Sequence, residues 1–240
     1  MTDSIASIRR RARVAGVLYL LNAIFGAFAL LFVYARVYVA GDAAKSASNL
    51  VANAGLVRAG VVADLVQATI WVFLALILFR LLRHVSQGAA SAMVVLVAIG
   101  AGILMLNEVF GFESVRVATG AVNLTSVGAA GANALALLLL DAQHYGLLIA
   151  QIFFGLWLVP LGYLAYRSGW FPRALGVALV VGGACYLVDM LAAFLAPDLG
   201  KAIHGYITLP SAVAELWMVG YLLVVGVTTP SAHERVAAAA

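Results

Sequence analysis

Cysteine is almost absent: Cys185 stands alone in 240 residues, so neither an intramolecular disulfide nor a zinc–thiolate cluster can form. Charge is scarce too. Asp, Glu, Lys and Arg make up 10% of the chain, against about 25% in an ordinary soluble domain. The chain also lacks an HExxH sequence, a nucleophile elbow, a convincing internal repeat and any low-complexity stretch beyond Ala237 to Ala240. What it has instead is apolar surface. At 65% hydrophobic, it carries more than a soluble core of this length could hide, so lipid is the expected solvent. The basic excess, 14 Lys and Arg over 10 Asp and Glu, does not point to nucleic acid. Those residues sit at the ends of apolar runs, where they orient helices.

About 20 apolar residues suffice to cross a bilayer. On that rule, spans are expected near 14–38, 57–80, 89–110, 143–166, 174–196 and 206–228. The fold class is therefore all-α, a polytopic membrane helical bundle of six transmembrane helices. Residues 1–13 are expected as an N-terminal segment and 229–240 as a tail, both cytoplasmic, with outer loops at 40–56 and 111–142. Arg9-Arg10-Arg11 before an apolar run imitates a signal peptide. The run from Val14 to Val39 exceeds the roughly 7–15 residues of a signal core, which favours a retained first span.

Orientation follows from Lys and Arg near the span ends. Arg9, Arg10, Arg11, Arg13, Arg80, Arg83, Arg167, Arg173 and Arg235 would lie inside; Arg36, Lys45, Arg58, Arg116 and Lys201 would lie outside. The tight turns His84 to Gly88 and Arg167 to Arg173 carry or adjoin basic pairs and are expected on the inner side. Trp170, Tyr34 and Tyr38 fall at expected interfaces. Residues 129–140 are apolar or small except for Asn133 and read as a re-entrant or interfacial helix. A seventh span through 118–140 is the alternative, and it would reverse every later segment.

The depth of the ionisable groups is the functional signal. Asp in mid-span costs about 2.5–3.5 kcal/mol on insertion scales, so each such group needs a partner or a purpose. Asp64, Asp189 and Glu215 lie inside expected spans, Asn107 and Glu108 end the third, and Asp141 and His144 open the fourth. Asp64, Gln67 and Trp71 share a helix face, as do Asp141, His144 and Gln151; Tyr186 precedes Asp189 by three residues and Ser211 precedes Glu215 by four. These stripes suggest a polar pocket open to the outer surface, built from Asp64, Gln67, Asn107, Glu108, His144, Gln151, Tyr186, Asp189 and Glu215. Arg58 and Arg116 are the available counter-ions. The plainer reading is that such groups only link helices, at about 0.6 kcal/mol per hydrogen bond, or reach water at the interface.

Specific chemistries are weaker. Asp141, His144, His204 and Glu215 are the only candidate metal ligands, and they lack a dense ligand motif. Ser211, His144 and Asp189 could form a nucleophilic triad only on paper. Two histidines of matched depth for a haem are not available: His84 and His233 read as cytoplasmic, and His204 as part of a loop. No cofactor is expected, and Cys185 reads as a core thiol.

Leu158-Val159-Pro160-Leu161-Gly162-Tyr163-Leu164, Arg167-Ser168-Gly169, Pro172-Arg173, Leu175-Gly176 and Tyr186-Leu187-Val188-Asp189 resemble the signature of a bacterial family known as domain of unknown function 4386. The opening Ala12-Arg13-Val14-Ala15-Gly16-Val17-Leu18-Tyr19-Leu20 is similar to the start of that family, and the likeness extends over 12–228. The resemblance implies a multi-pass protein of a bacterial inner (plasma) membrane and brings no activity, ligand or catalytic residue. In the 167–173 turn, Gly169 permits the reversal, Trp170 anchors the interface and Pro172 starts the next helix where no N–H is needed. Three functions stay open. One is a pocket for a small molecule, ion or lipid, for binding or transport. Another is an accessory subunit without chemistry. The third is an intramembrane enzyme, with or without a metal, acting at the outer leaflet.

Overall fold

The computed structural model describes residues 5–228. The expectations for the first four residues, for His233, for Arg235 and for the tail 229–240 lie outside that range. Among the described residues every regular element is a helix. Six of these segments are long and apolar enough to cross a membrane, as befits a multi-pass membrane protein. The elements are α1 (Ile5–Val37), α2 (Ala43–Ala52), α3 (Ala54–Leu82), α4 (Gln87–Ala118), α5 (Gly128–Ser168), α6 (Arg173–Leu195), α7 (Pro197–Ile207) and α8 (Leu209–Val224).

Two features depart from the sequence reading. Both segments expected as outer loops are mostly helix: 40–56 holds α2 and the start of α3, and in 111–142 α4 continues to Ala118 and α5 begins at Gly128. The segment 129–140 is neither re-entrant nor a separate interfacial helix, and it is not a seventh span. It is the first part of a 41-residue α5. The physical reason is plain: Ala and Leu are the best helix formers, and no Pro or Gly interrupts 132–145, so the helix of the fourth span continues backwards. A continuous helix cannot reverse direction, so α5 counts as one span. The other departure is His204, which lies on helix α7 rather than in a loop.

Turn chemistry explains the remaining boundaries. Gly169 takes φ +69°, a conformation open to glycine, and Pro172 stands at the N-cap position, immediately before the first residue of α6. Asp42 caps α2 by accepting from the Lys45 N–H at 2.9 Å, a standard N-cap bond. Within α1, Phe28–Tyr34 forms a π-helical stretch. The wider turn resets the phase of the helix and leaves Val33 and Val37 buried, with Tyr34 and Tyr38 half-buried.

The chain divides into two compact units. The terminal unit contains residues through Leu20, Trp71–Gly100 and Gln151 onward; the middle unit contains Leu21–Ile70 and Ala101–Ala150. The middle unit is built on Val33, Val37, Leu50, Val57, Val115, Ala136 and Leu140. In the terminal unit Tyr19, Leu74, Leu78, Trp157, Leu158, Leu161 and Met218 are buried. There α5 and α6 meet at glycines. A Cβ at Gly155 would lie 2.6 Å from the Gly183 carbonyl, and one at Gly162 would lie 2.6 Å from that of Gly176. Small residues let helix backbones approach closely where lipid supplies no hydrophobic drive. The two basic turns also meet in this unit, since the His84 and Trp170 rings are in tilted contact with centroids 4.3 Å apart.

Candidate functional site

In the middle unit, α4 presents Asn107 and Glu108, both only 4% exposed. Glu108 is held on every side. Tyr34, from the π-helical stretch of α1, donates to its Oε2 at 2.7 Å. Gln143 of α5 donates to its Oε1 at 3.3 Å. The carboxyl of Asp64, on α3, lies beside that of Glu108, within reach of a hydrogen bond. Four helices therefore converge on one carboxyl pair. Two glycines make room for it. A Cβ at Gly111 would stand 2.9 Å from the Tyr34 hydroxyl, and one at Gly146 would collide with the Asn107 side chain. The Asn107 amide donates to the Gln143 carbonyl at 2.8 Å, while its Oδ1 is buried without a hydrogen-bond partner. Such an orphaned acceptor is unusual.

The chemistry of this pair is constrained. Carboxylates are acceptors only, so a hydrogen bond between two carboxyl groups requires one proton between them. Removing that proton would leave two like charges in contact in an apolar surrounding, which needs another cation in its place. Gln67, one turn from Asp64, packs against Gly26.

Tyr38, at the end of α1, donates to Asp141 at 2.6 Å and stacks on His144 at 5.3 Å. Tyr34 and Tyr38, expected at an interface, are thus both spent on acids of neighbouring helices. Arg116, one of the expected counter-ions, pairs with Glu113 at 2.6 Å and not with a pocket acid.

The terminal unit holds the other acids. Asp189 of α6 is 1% exposed. Its Oδ2 accepts from Gln151 of α5 at 2.7 Å, and both its oxygens lie 3.0 Å from Nδ1 of His204 on α7. Gln151 also donates to the Tyr186 carbonyl at 3.1 Å. Glu215 of α8 accepts from Tyr19 of α1 at 2.8 Å and from Tyr186 of α6 at 3.1 Å. Around them Tyr19, Trp71, Phe154, Trp157 and Tyr186 form a chain of ring contacts with centroids 5.2–6.3 Å apart.

The candidate residues thus fall into two sets with separate partners. Asp64, Gln67, Asn107, Glu108 and His144 belong to the middle unit; Gln151, Tyr186, Asp189 and Glu215 belong to the terminal unit. Sequence reasoning missed Tyr19, Tyr34 and Gln143, which supply the hydrogen bonds to the acids. Their signal was weak: a tyrosine inside an apolar run reads equally as core. The triad of Ser211, His144 and Asp189 is not assembled, since Ser211 donates to the Gly182 carbonyl at 2.7 Å and Asp189 holds His204. The metal candidates Asp141 and His144 pair with Tyr38, His204 pairs with Asp189 and Glu215 with tyrosines. Among the described residues no group of three or more His, Cys, Asp or Glu stands together in a way that could hold a metal ion.

The chain belongs to the family described as Domain of unknown function (DUF4386), whose model matches residues 14–226. It is also similar to an uncharacterized protein of Archaeoglobus fulgidus, with 39% identity over 46 residues. That match spans 19% of this chain and 28% of the length of the relative. No solved structure matches.

Proposed function

We propose that this membrane protein takes up and releases a cation, in the first instance a proton, at the Asp64–Glu108 pair, in the service of transport or sensing across the bilayer. One observation carries the reading: two carboxyl groups from different helices meet inside an apolar bundle, close enough to share a proton. Ionisable groups in this position are expensive and mark ion or proton pathways in membrane proteins. The orphaned Oδ1 of Asn107, on the residue beside Glu108, supports the same reading, because an unpaired buried oxygen suits a cation better than an anion.

The test uses the purified protein in phosphatidylcholine vesicles loaded with a pH-sensitive dye. After an acid pulse, with and without sodium or potassium, wild type should move protons at least about tenfold faster than Asp64→Asn or Glu108→Gln, a barrier difference of about 1.4 kcal/mol. Equal rates in all three, with all of them folded, would remove the proposal.

A second reading has its own observation. Asp189 and Glu215 have their carboxylate oxygens engaged by side chains of other helices, an arrangement suited to linking helices. If the protein is an accessory subunit, both sets do this and the vesicle assay gives no difference.

A further inference from the structure

The first turns of α1 carry a feature unrelated to the acids. A hollow of about 700 Å³ lies against them, lined by Ile5 and Ala6, then by Arg9, Arg10 and Arg13 and, further along, by Val14, Val17 and Leu18. The opposite face of the helix is packed inward, with Ala12, Ala15, Gly16 and Tyr19 buried. Arg10, Arg13 and Val17 recur at i, i+3 and i+7, so cation and apolar side chain share one ridge. All three arginines are exposed, as are Val14 at 43% and Val17 at 47%. Among the described residues none of the three arginines forms an ion pair.

We propose that this hollow is a binding site for one anionic phospholipid. Its phosphate would sit among the guanidinium groups of Arg9, Arg10 and Arg13, and one acyl chain would run along Val14 and Val17. Guanidinium groups match phosphate oxygens with two parallel N–H donors. From Arg9 onward the order of side chains along the helix repeats the order of a lipid, charged headgroup and then hydrocarbon. The site also stands at the end of a spanning helix, where headgroups lie. A free phosphate or nucleotide would leave the valine floor unused. A second copy of this chain in an isologous contact would bring two arginine rims together, so charge complementarity selects the lipid.

Native mass spectrometry tests this on the full chain, released from detergent after exposure to equimolar phosphatidylglycerol and phosphatidylcholine with identical acyl chains. Wild type should retain one phosphatidylglycerol in preference to phosphatidylcholine. The double variant Arg10→Glu/Arg13→Glu should lose that preference by about tenfold or more, since each basic residue near an anionic surface adds to the attraction. Arg80→Glu, at the end of another helix, should retain it, and millimolar inorganic phosphate should not displace the lipid. The proposal is overturned if the double variant binds as wild type does, if Arg80→Glu loses the lipid equally, if phosphate displaces it or if a second chain is retained in its place. Should the double variant fail to fold, Arg13→Gln offers the same comparison with a smaller loss.

Discussion

At the scale of single residues, the tyrosines set the character of the acids. Glu215 has each oxygen taken by a phenol, Tyr19 at 2.8 Å and Tyr186 at 3.1 Å. Interhelical hydrogen bonds in membranes average about 0.6 kcal/mol. Stripping a donor from a buried carboxyl group leaves an unsatisfied acceptor, which costs about 1–3 kcal/mol. Tyr19→Phe keeps the ring and its contact with Trp157, so it removes the hydroxyl alone. It should destabilise by about 1–3 kcal/mol in a denaturant titration in detergent micelles, and the effect should shrink toward zero in a Glu215→Leu background. An unchanged cost in that background would show that the hydroxyl acts on something other than Glu215. The acids themselves were legible from their depth in apolar runs. Their partners were not, because Tyr19, Tyr34 and Gln143 come from other segments of the chain and no local spacing ties them to Glu215 or Glu108.

At the scale of elements, the contact of α5 with α6 rests on paired glycines spaced by seven residues, Gly155 and Gly162 against Gly183 and Gly176. Each places its Cα against the carbonyl of the other, a geometry that weak Cα–H···O contacts also favour. Helix propensity and packing make opposite predictions here. Propensity alone says that Gly→Ala in a helix stabilises by about 1 kcal/mol. Packing says that a methyl at 2.6 Å from a backbone oxygen must push the helices apart, and overpacking costs about 1–3 kcal/mol. Packing should win at this interface, so Gly155→Ala and Gly183→Ala should each lower the thermal midpoint in detergent. Gly102→Ala, with nothing within 4 Å of its Cβ, should leave it unchanged or raise it. A rise at all three positions would mean that the close approach contributes nothing to stability. The sequence alone does not pair these glycines, since pairing depends on the register of two helices.

At the scale of the whole molecule, six spans were readable from composition alone, because hydrocarbon thickness fixes the length of an apolar run. The extent of α4 and α5 was not, because hydropathy marks where a helix suits lipid and not where it ends. Loop expectation gave way there to helix propensity. At about 1.5 Å per residue, the 41 residues of α5 reach about 60 Å, twice the roughly 30 Å of a hydrocarbon core. This bears directly on topology. If α5 is one crossing, the loop before it and the turn after it lie on opposite sides of the membrane. If 118–140 crossed separately, they would lie on the same side. The lone cysteine makes the experiment clean: with Cys185→Ala as the background, Asn123→Cys and Ser168→Cys can each be labelled with a membrane-impermeant maleimide, first in intact cells and then after permeabilisation. One of the two should react in intact cells and the other only after permeabilisation. Orientation then follows from which one reacts first, and the basic turn at 167–173 argues that it will be Asn123→Cys, since arginines hold their loop in the cytoplasm. Equal reactivity of both in intact cells would break α5 into two crossings and return the chain to seven spans.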